Sequence, residues 1–391
     1  MHKVAVPIKA ERNYYVQSAY GLSVTKGDVG IEVEVEGNKF PKQYGLLPST
    51  WKYVEDHSLR GYDNAEYILR KPIPFNKVEK VVTDLFTTLT EFGSILDDSN
   101  RTSVHIHLNC QTFYADRMAT FAALFFSVEE LLSAWAGEYR VGNLFCLRAK
   151  DAPAIVTKIR DIIRSGFRQH VSDGMHYAGF NVHSLAKFGS VEIRFLRGAT
   201  EPQLIIDWVK MLERLYVLSG ELKDPREVMN MFSYGGPLNY LHEVFGDTFP
   251  ILLKGIDMSE DDLRESLYQG IRLAQTIAYC YDWDTIDKTP IDNPFNRPIN
   301  KIEQAIAAMS EASYTPSWAA TSISPNQISF SGAGVGVSGA TSSTTVPTPP
   351  APFLADWVSI FPEEATEVED EPEYEPEYDE DPDLTLEDGD F

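Results

Sequence analysis

Apolar and polar positions alternate strictly along Gly30-Ile31-Glu32-Val33-Glu34-Val35-Glu36. This is the pattern of a half-buried β-strand, whose successive side chains point to opposite faces. Ile31, Val33 and Val35 then face a core, while Glu32, Glu34 and Glu36 line the other face about 7 Å apart. The strand ends at Gly37-Asn38, a turn signal. A second alternating stretch covers residues 101–109, with Val104, Ile106 and Leu108 inward and His105, His107 and Asn109 on the opposite face. A third, residues 189–195, alternates Val191, Ile193 and Phe195 with Glu192 and Arg194. It follows a short strand at 179–183 through a hairpin-like connection. Residues 64–71 read as a further strand stopped by Pro72, with Glu66, Ile68 and Arg70 on one face.

The period changes to that of a helix over 76–92, where Val78, Val81, Val82, Leu85, Phe86 and Leu89 share a face. Asn76 is the expected N-cap there and Gly93 the stop. Residues 116–135 form a long helix so broadly apolar that burial against the back of a sheet is expected. Further helices are expected at 152–165, at 202–218 with Pro202 near the start, and at 260–281. Strands with one apolar and one polar face, interleaved with such helices, define the expected fold class: α+β, an antiparallel sheet with helices on one face and an open opposite face.

Composition divides the chain. After about residue 312 large side chains thin out, and 313–352 is a linker rich in Gly, Ser, Thr and Pro. Residues 353–391 hold a short apolar island, Trp357-Val358-Ser359-Ile360-Phe361, and then an acidic run ending at Phe391. Such a tail cannot bury enough apolar surface to fold alone, so it is expected to be disordered. The formal net charge of −24 is concentrated there, because 362–391 carries 16 acidic residues and no Lys or Arg, leaving −8 for the rest. Residues 1–312 are therefore one domain of mildly acidic character, which disfavours direct nucleic-acid binding. Cys110, Cys146 and Cys280 show no metal-site or disulfide spacing and suit a reducing cytoplasm. The run 118–128 meets Glu129-Glu130 before a bilayer would be crossed, so no membrane partner is expected.

Three carboxylates in one row repel one another, and the row at Glu32, Glu34 and Glu36 is explained by cations such as Mg²⁺ or Ca²⁺, which prefer oxygen ligands. Neighbouring strands lie about 4.8 Å apart, so Glu32, His105 and Glu192 could converge on one ion. Arg194, on the face of Glu192, could hold an anion beside it through its fork of donors. Each pair also has an ordinary reading: a solvated strand face for Glu32-x-Glu34, a structural role for His105-x-His107, a surface ion pair for Glu192-x-Arg194. Their joint occurrence in this order favours the site.

Glu-x-Glu opening the sheet, His-x-His in a middle strand and Glu-x-Arg in a late one resemble the glutamine synthetase catalytic domain and its carboxylate–amine ligase relatives. The chain is most similar to an amidoligase family associated with phages and bacteria. The resemblance rests on Gly30-Ile31-Glu32-Val33-Glu34, Asp56-His57-Ser58-Leu59 with Ala65-Glu66, Ser103-Val104-His105-Ile106-His107, Tyr177 to Asn181, and Val191-Glu192-Ile193-Arg194-Phe195. It spans about 29–200 and does not reach the C-terminal third.

The resemblance implies a glutamine synthetase-like sheet binding ATP and two Mg²⁺ ions, with Mn²⁺ as a substitute. Glu32, His105 and Glu192 would hold the first metal, which bridges ATP phosphates. Glu34, with Glu66, would hold the second, nearer the substrate carboxylate. His107 would touch the nucleotide phosphates, and Arg194 the transferring phosphoryl group or the substrate acid. Asn109, Asn181 and Arg197 would add polar contacts. The implied reaction joins a carboxylate and an amine, from amino acids, peptides or protein side chains, through an acyl phosphate. It would take place in the cytoplasm, the host's if the chain is phage-encoded. Two rivals stay open. One is a non-catalytic binding or assembly protein that works through its acidic tail, with a basic protein as partner; the other is a metal-dependent hydrolase. The tail itself reads either as a solubilising segment or as a docking peptide.

Overall fold

In a computed structural model the acidic alternating stretch is β1 (Val29–Asn38), near the middle of a seven-stranded antiparallel sheet. The described residues are 15–285, except 60–61 and 168–172. The domain end at 312, the linker 313–352 and the tail 353–391 lie outside them. The other strands are β2 (Trp51–Val54), β3 (Asp63–Leu69), β4 (Ile95–Leu96), β5 (Ser103–Asn109), β6 (Phe180–Asn181) and β7 (Ser190–Arg197). Their order across the sheet is β2-β3-β1-β5-β7-β6, with β4 pairing the far end of β1. The helices are α1 (Val16–Tyr20), α2 (Val78–Phe92), α3 (Ala115–Ala136), α4 (Ala154–Arg164), α5 (Ser184–Phe188), α6 (Pro202–Glu221), α7 (Arg226–Phe245), α8 (Phe249–Gly255) and α9 (Glu260–Ala278). The fold is α+β.

The alternation sets the layers. Val29, Ile31, Val33, Val104, Ile106, Leu108, Val191 and Ile193 are fully buried in the core, which they share with α2, α3 and α6. α3 is buried almost all round: 22 residues long, it would span a bilayer by length and composition, yet here it lies inside the fold. α9 runs along it. Gly270 makes that approach possible, since a Cβ there would sit 2.3 Å from the Ser127 carbonyl oxygen.

Several local expectations need correction. Asn76 is not the N-cap of α2; a 3₁₀ turn, Phe75–Lys77, precedes the helix, and Lys77 holds the cap position without a side-chain bond. Gly93 does stop the helix, in the left-handed conformation at φ 78°. Strands β6 and β7 pair antiparallel, but α5 joins them in place of a tight turn. On the polar face Glu34, His105 and Glu192 are buried, while Glu32, Glu66, His107 and Arg194 keep partial exposure.

Candidate metal and anion site

Strand register brings the polar residues together. Glu32 lies opposite His105, Glu34 opposite Glu66, His107 opposite Glu192, and Asn181 on the far side of Glu192. One ligand atom from each of Glu32, His105 and Glu192 falls within 4.8 Å of the others. His105 Nδ1 is 3.2 Å from Glu32 Oε2 and 3.5 Å from Glu192 Oε1. The second Glu32 oxygen, Oε1, is 3.1 Å from His107 Nε2. Burial alone would raise the Glu32 carboxyl, but the two histidines outweigh it and hold it well below the usual carboxylate range.

The orientation of His105 follows from its other neighbour. Glu34 Oε2 accepts from the Ser103 amide at 2.8 Å and from the Ser103 hydroxyl at 2.8 Å. With its proton directed at Glu34, the hydroxyl can only accept from His105 Nε2, 2.9 Å away. His105 Nε2 therefore carries a proton. A second proton on Nδ1 bonds Glu32 and helps to depress its carboxyl, whereas a ring that loses that proton aims the Nδ1 lone pair at two carboxylates. Three electron-rich donors facing one point repel unless a cation, or a proton, lies between them. Two carboxylate oxygens and one imidazole nitrogen suit Mg²⁺ or Mn²⁺, and the Glu34–Ser103–His105 chain is the kind of outer-shell support that metal-binding histidines have. The residues fit the ion. Ser103, His105 and Glu32 also follow the order of a nucleophile, a base and an acid. The Ser103 proton faces Glu34 rather than the ring, however, and the residue is buried, so it is not an activated nucleophile.

Arg194 lies on the same face. Its Nη1 pairs with Glu192 Oε1 and its Nε donates to the Phe145 carbonyl at 3.3 Å. Glu192 Oε2 accepts from Asn181 Nδ2 at 2.6 Å, which fixes the carboxylate from behind. Glu66 completes the groove on the β3 side. Burial first, then the charges of Glu32, Glu34 and Asp56, push its carboxyl up to about 7, against a smaller opposing effect of Arg194.

Seven expected site residues thus share one groove: Glu32, Glu34, Glu66, His105, His107, Glu192 and Arg194. Two do not serve as expected. Asn109 spends its amide on the Thr25 and Gly27 carbonyls, at 3.0 and 2.8 Å, and its oxygen accepts from the Gln111 amide. It ties down the entry to β1. Arg197 donates to the Trp135 and Ala136 carbonyls, so its charge sits at the C-terminus of α3, where a cation satisfies orphan carbonyls. Glu36 bonds Ser99 Oγ at 2.7 Å, apart from the triad.

Sequence reasoning missed Ser103 and Arg140. Ser103 stood in a strand already identified and shares the face of His105, which was the available signal. Arg140 follows α3 in a stretch without periodicity, and nothing in its neighbourhood marks it. A separate cavity of about 650 Å³ lies between the start of α2, α6 and the 245–251 turn. Its basic groups are already engaged, Lys210 lying 4.0 Å from Glu79 and Arg214 3.4 Å from Glu221.

The sequence matches no protein-family model, and no curated protein matches it significantly.

Proposed function

We propose that the protein is an ATP-dependent carboxylate–amine ligase working on the polar face of its sheet, with a glutamine synthetase-like catalytic fold. The observation that carries this reading is the convergence of Glu32, His105 and Glu192 donor atoms within 4.8 Å, with the Arg194 guanidinium directly beside them. The resemblance of the same motifs to amidoligases supports it.

A carboxylate is a poor electrophile toward amines. In the proposed reaction its oxygen attacks the γ-phosphorus of ATP, and the bond to the bridging oxygen breaks to release ADP. The amine nitrogen then attacks the acyl carbon of the acyl phosphate; the carbon–oxygen bond breaks, and the departing phosphate carries off the amine proton. Glu32, His105 and Glu192 would hold one Mg²⁺ or Mn²⁺, with Glu34 and Glu66 flanking a second position. Bound there, the ions would supply Lewis-acid neutralisation of phosphate charge. Glu34 has a further task in this reading, because through Ser103 it keeps the Nδ1 lone pair of His105 directed at the ion. Arg194 offers a planar fork of donors to the transferring phosphoryl group or to the substrate acid. His107 has both ring nitrogens engaged, Nδ1 by Ser190 Oγ and Nε2 by Glu32. In this reading it would donate to a phosphate only by giving up one of these partners, and otherwise it orients Glu32. Most of the remaining acceleration comes from holding both substrates together with water excluded.

The deciding experiment is calorimetric titration of a non-hydrolysable ATP analogue into the full chain, with and without Mg²⁺, alongside Glu32→Gln. Binding that needs Mg²⁺ and is lost in the variant is expected. A folded protein that binds no nucleotide in either condition sinks the ligase reading.

A further inference from the structure

We infer that Arg140 is the positioning residue for Arg194: a buried guanidinium that clasps a bulge in β7 and so sets the angle at which Arg194 enters the groove. The reading of Arg194 as the anion-binding group rests on the function proposed above. The positional relationship between the two arginines does not.

The starting point is a break in alternation. Val191, Ile193 and Phe195 face the core, and so does Leu196, immediately after Phe195; all four are fully buried. Two successive inward residues cannot occur on a regular strand. The register shows how the chain accommodates them. Ile193 lies opposite Ile106 and Leu196 opposite Val104, so Arg194 and Phe195 together face the single residue His105. This is a β-bulge, and bulges next to binding sites re-aim side chains. It stands beside the metal-ligand histidine, with Arg194 as one of its two residues.

A bulge leaves backbone groups without ladder partners. Arg140 takes two of them. Its Nη2 donates to the Arg194 carbonyl at 2.6 Å and its Nε to the Phe195 carbonyl at 2.9 Å. The Arg194 amide donates to the Gly179 carbonyl at 3.0 Å, so the residue is held from both sides. A side chain at Gly179 would collide with the Phe195 ring, its Cβ lying 2.1 Å from the ring, which explains a glycine at that contact. The head of Arg194 is fixed by the same segment that carries Arg140. Its Nε reaches the Phe145 carbonyl, and next to Phe145 the Cys146 thiol approaches the Arg140 carbonyl at 3.5 Å. One short stretch, 140–146, therefore fixes both the backbone and the guanidinium of Arg194.

Arg140 has no simpler task. It is 3% exposed and, among the described residues, makes no ion pair with a carboxylate. A buried cation without a carboxylate is costly. Burial weakens the hold of Arg140 on its proton, Cys146 and Glu34 offset this only in part, and the two bulge carbonyls accept its N–H groups. It does not cap α3, since Arg197 does that. Two adjacent carbonyls accept from two nitrogens of one rigid plane; the single ammonium of a lysine cannot reproduce that fork.

The test uses the full chain with ¹⁵N-labelled arginine, in wild type, Arg140→Lys and Arg140→Gln, with Arg194→Lys to assign the Arg194 Nε–H signal. In either Arg140 variant that signal is expected to shift and lose its protection from solvent exchange. An unchanged Arg194 Nε–H in a folded variant overturns the proposal, whatever the protein binds. Ligand binding gives the second arm. Mn²⁺ affinity should stay within about twofold in Arg140→Lys, because the bulge carbonyls are not ligands, while affinity for a Mg²⁺-bound ATP analogue falls by about tenfold or more. Adding Arg140→Lys to Arg194→Ala should cause no further loss of that affinity; additive losses would also overturn the proposal. If wild type binds no nucleotide, the ligase reading fails and the arginine resonance alone decides this one.

Discussion

The Ser103 hydroxyl oxygen lies 2.9 Å from His105 Nε2 and gives its own proton to Glu34, so a serine two residues before the histidine of the candidate metal cluster selects which ring nitrogen faces the carboxylates. Ser103→Ala removes the acceptor for the Nε2 proton and lets the ring turn. Mn²⁺ affinity should fall by about 10- to 100-fold, the usual cost of losing such an outer-shell partner. Titration calorimetry reads this directly, and an unaltered affinity would show that the ring is fixed by packing alone.

Arg194 pairs with Glu192 Oε1, the oxygen 3.5 Å from His105 Nδ1, so a cation held by Glu32, His105 and Glu192 would compete with the guanidinium for it. Arg194→Ala should therefore bind Mn²⁺ at least as well as wild type while losing affinity for a Mg²⁺-bound nucleotide analogue by about tenfold or more. Loss of both together would mean that the arginine shapes the metal site and does not merely stand beside it.

Glu129 supplies a pH dependence remote from the groove. It lies fully inside the fold, where burial pushes its carboxyl up to about 8, and its Oε2 accepts from the Ala149 amide at 2.8 Å. The folded state keeps this proton where the unfolded chain has released it. The contribution to stability is thus complete below the usual carboxylate range and is lost as pH rises through about 8. The loss runs at roughly 1.4 kcal/mol per pH unit between those limits. Glu129→Gln mimics the protonated form, so its melting temperature should exceed that of wild type at pH 8.5 and match it near pH 4.5. A difference that does not change with pH would contradict this.

Gly270→Ala places a methyl group 2.3 Å from the Ser127 carbonyl oxygen, a backbone atom that cannot swing aside. Helices α3 and α9 must separate, at a cost of about 1–3 kcal/mol in chemical denaturation. The candidate cluster of Glu32, His105 and Glu192 lies across the sheet, so under the proposed reading Mn²⁺ affinity should hold.

The sheet was legible wherever alternation was strict. β1, β5 and β7 each announced which face was polar, and the order of Glu66, Glu34, His105 and Glu192 across the sheet follows from register alone. Other features carry no period. The bulge lies in the pair Phe195-Leu196, where one extra apolar residue looks like noise in a short strand. α7 was missed because Gly236, at φ 70°, and Pro237 break it in the middle and scatter its apolar face. Asn109 and Arg197 show the opposite error. Each is polar and near the groove in sequence, yet each makes its bonds to backbone carbonyls, and residue type alone cannot separate the two uses. Arg140 acts through main-chain atoms over fifty residues away, which only the folded chain reveals.

The clasp between α3 and α9 sets a timetable for the growing chain. About 120 residues separate the two helices, so at ordinary translation rates α3 waits on the order of ten seconds for its partner to be made. Throughout that interval the face of this apolar cylinder that α9 covers has no permanent partner. A nascent chain stalled before Glu260 is consequently expected to aggregate or recruit a chaperone more readily than the finished domain, because the α9-facing side of α3 is then still bare.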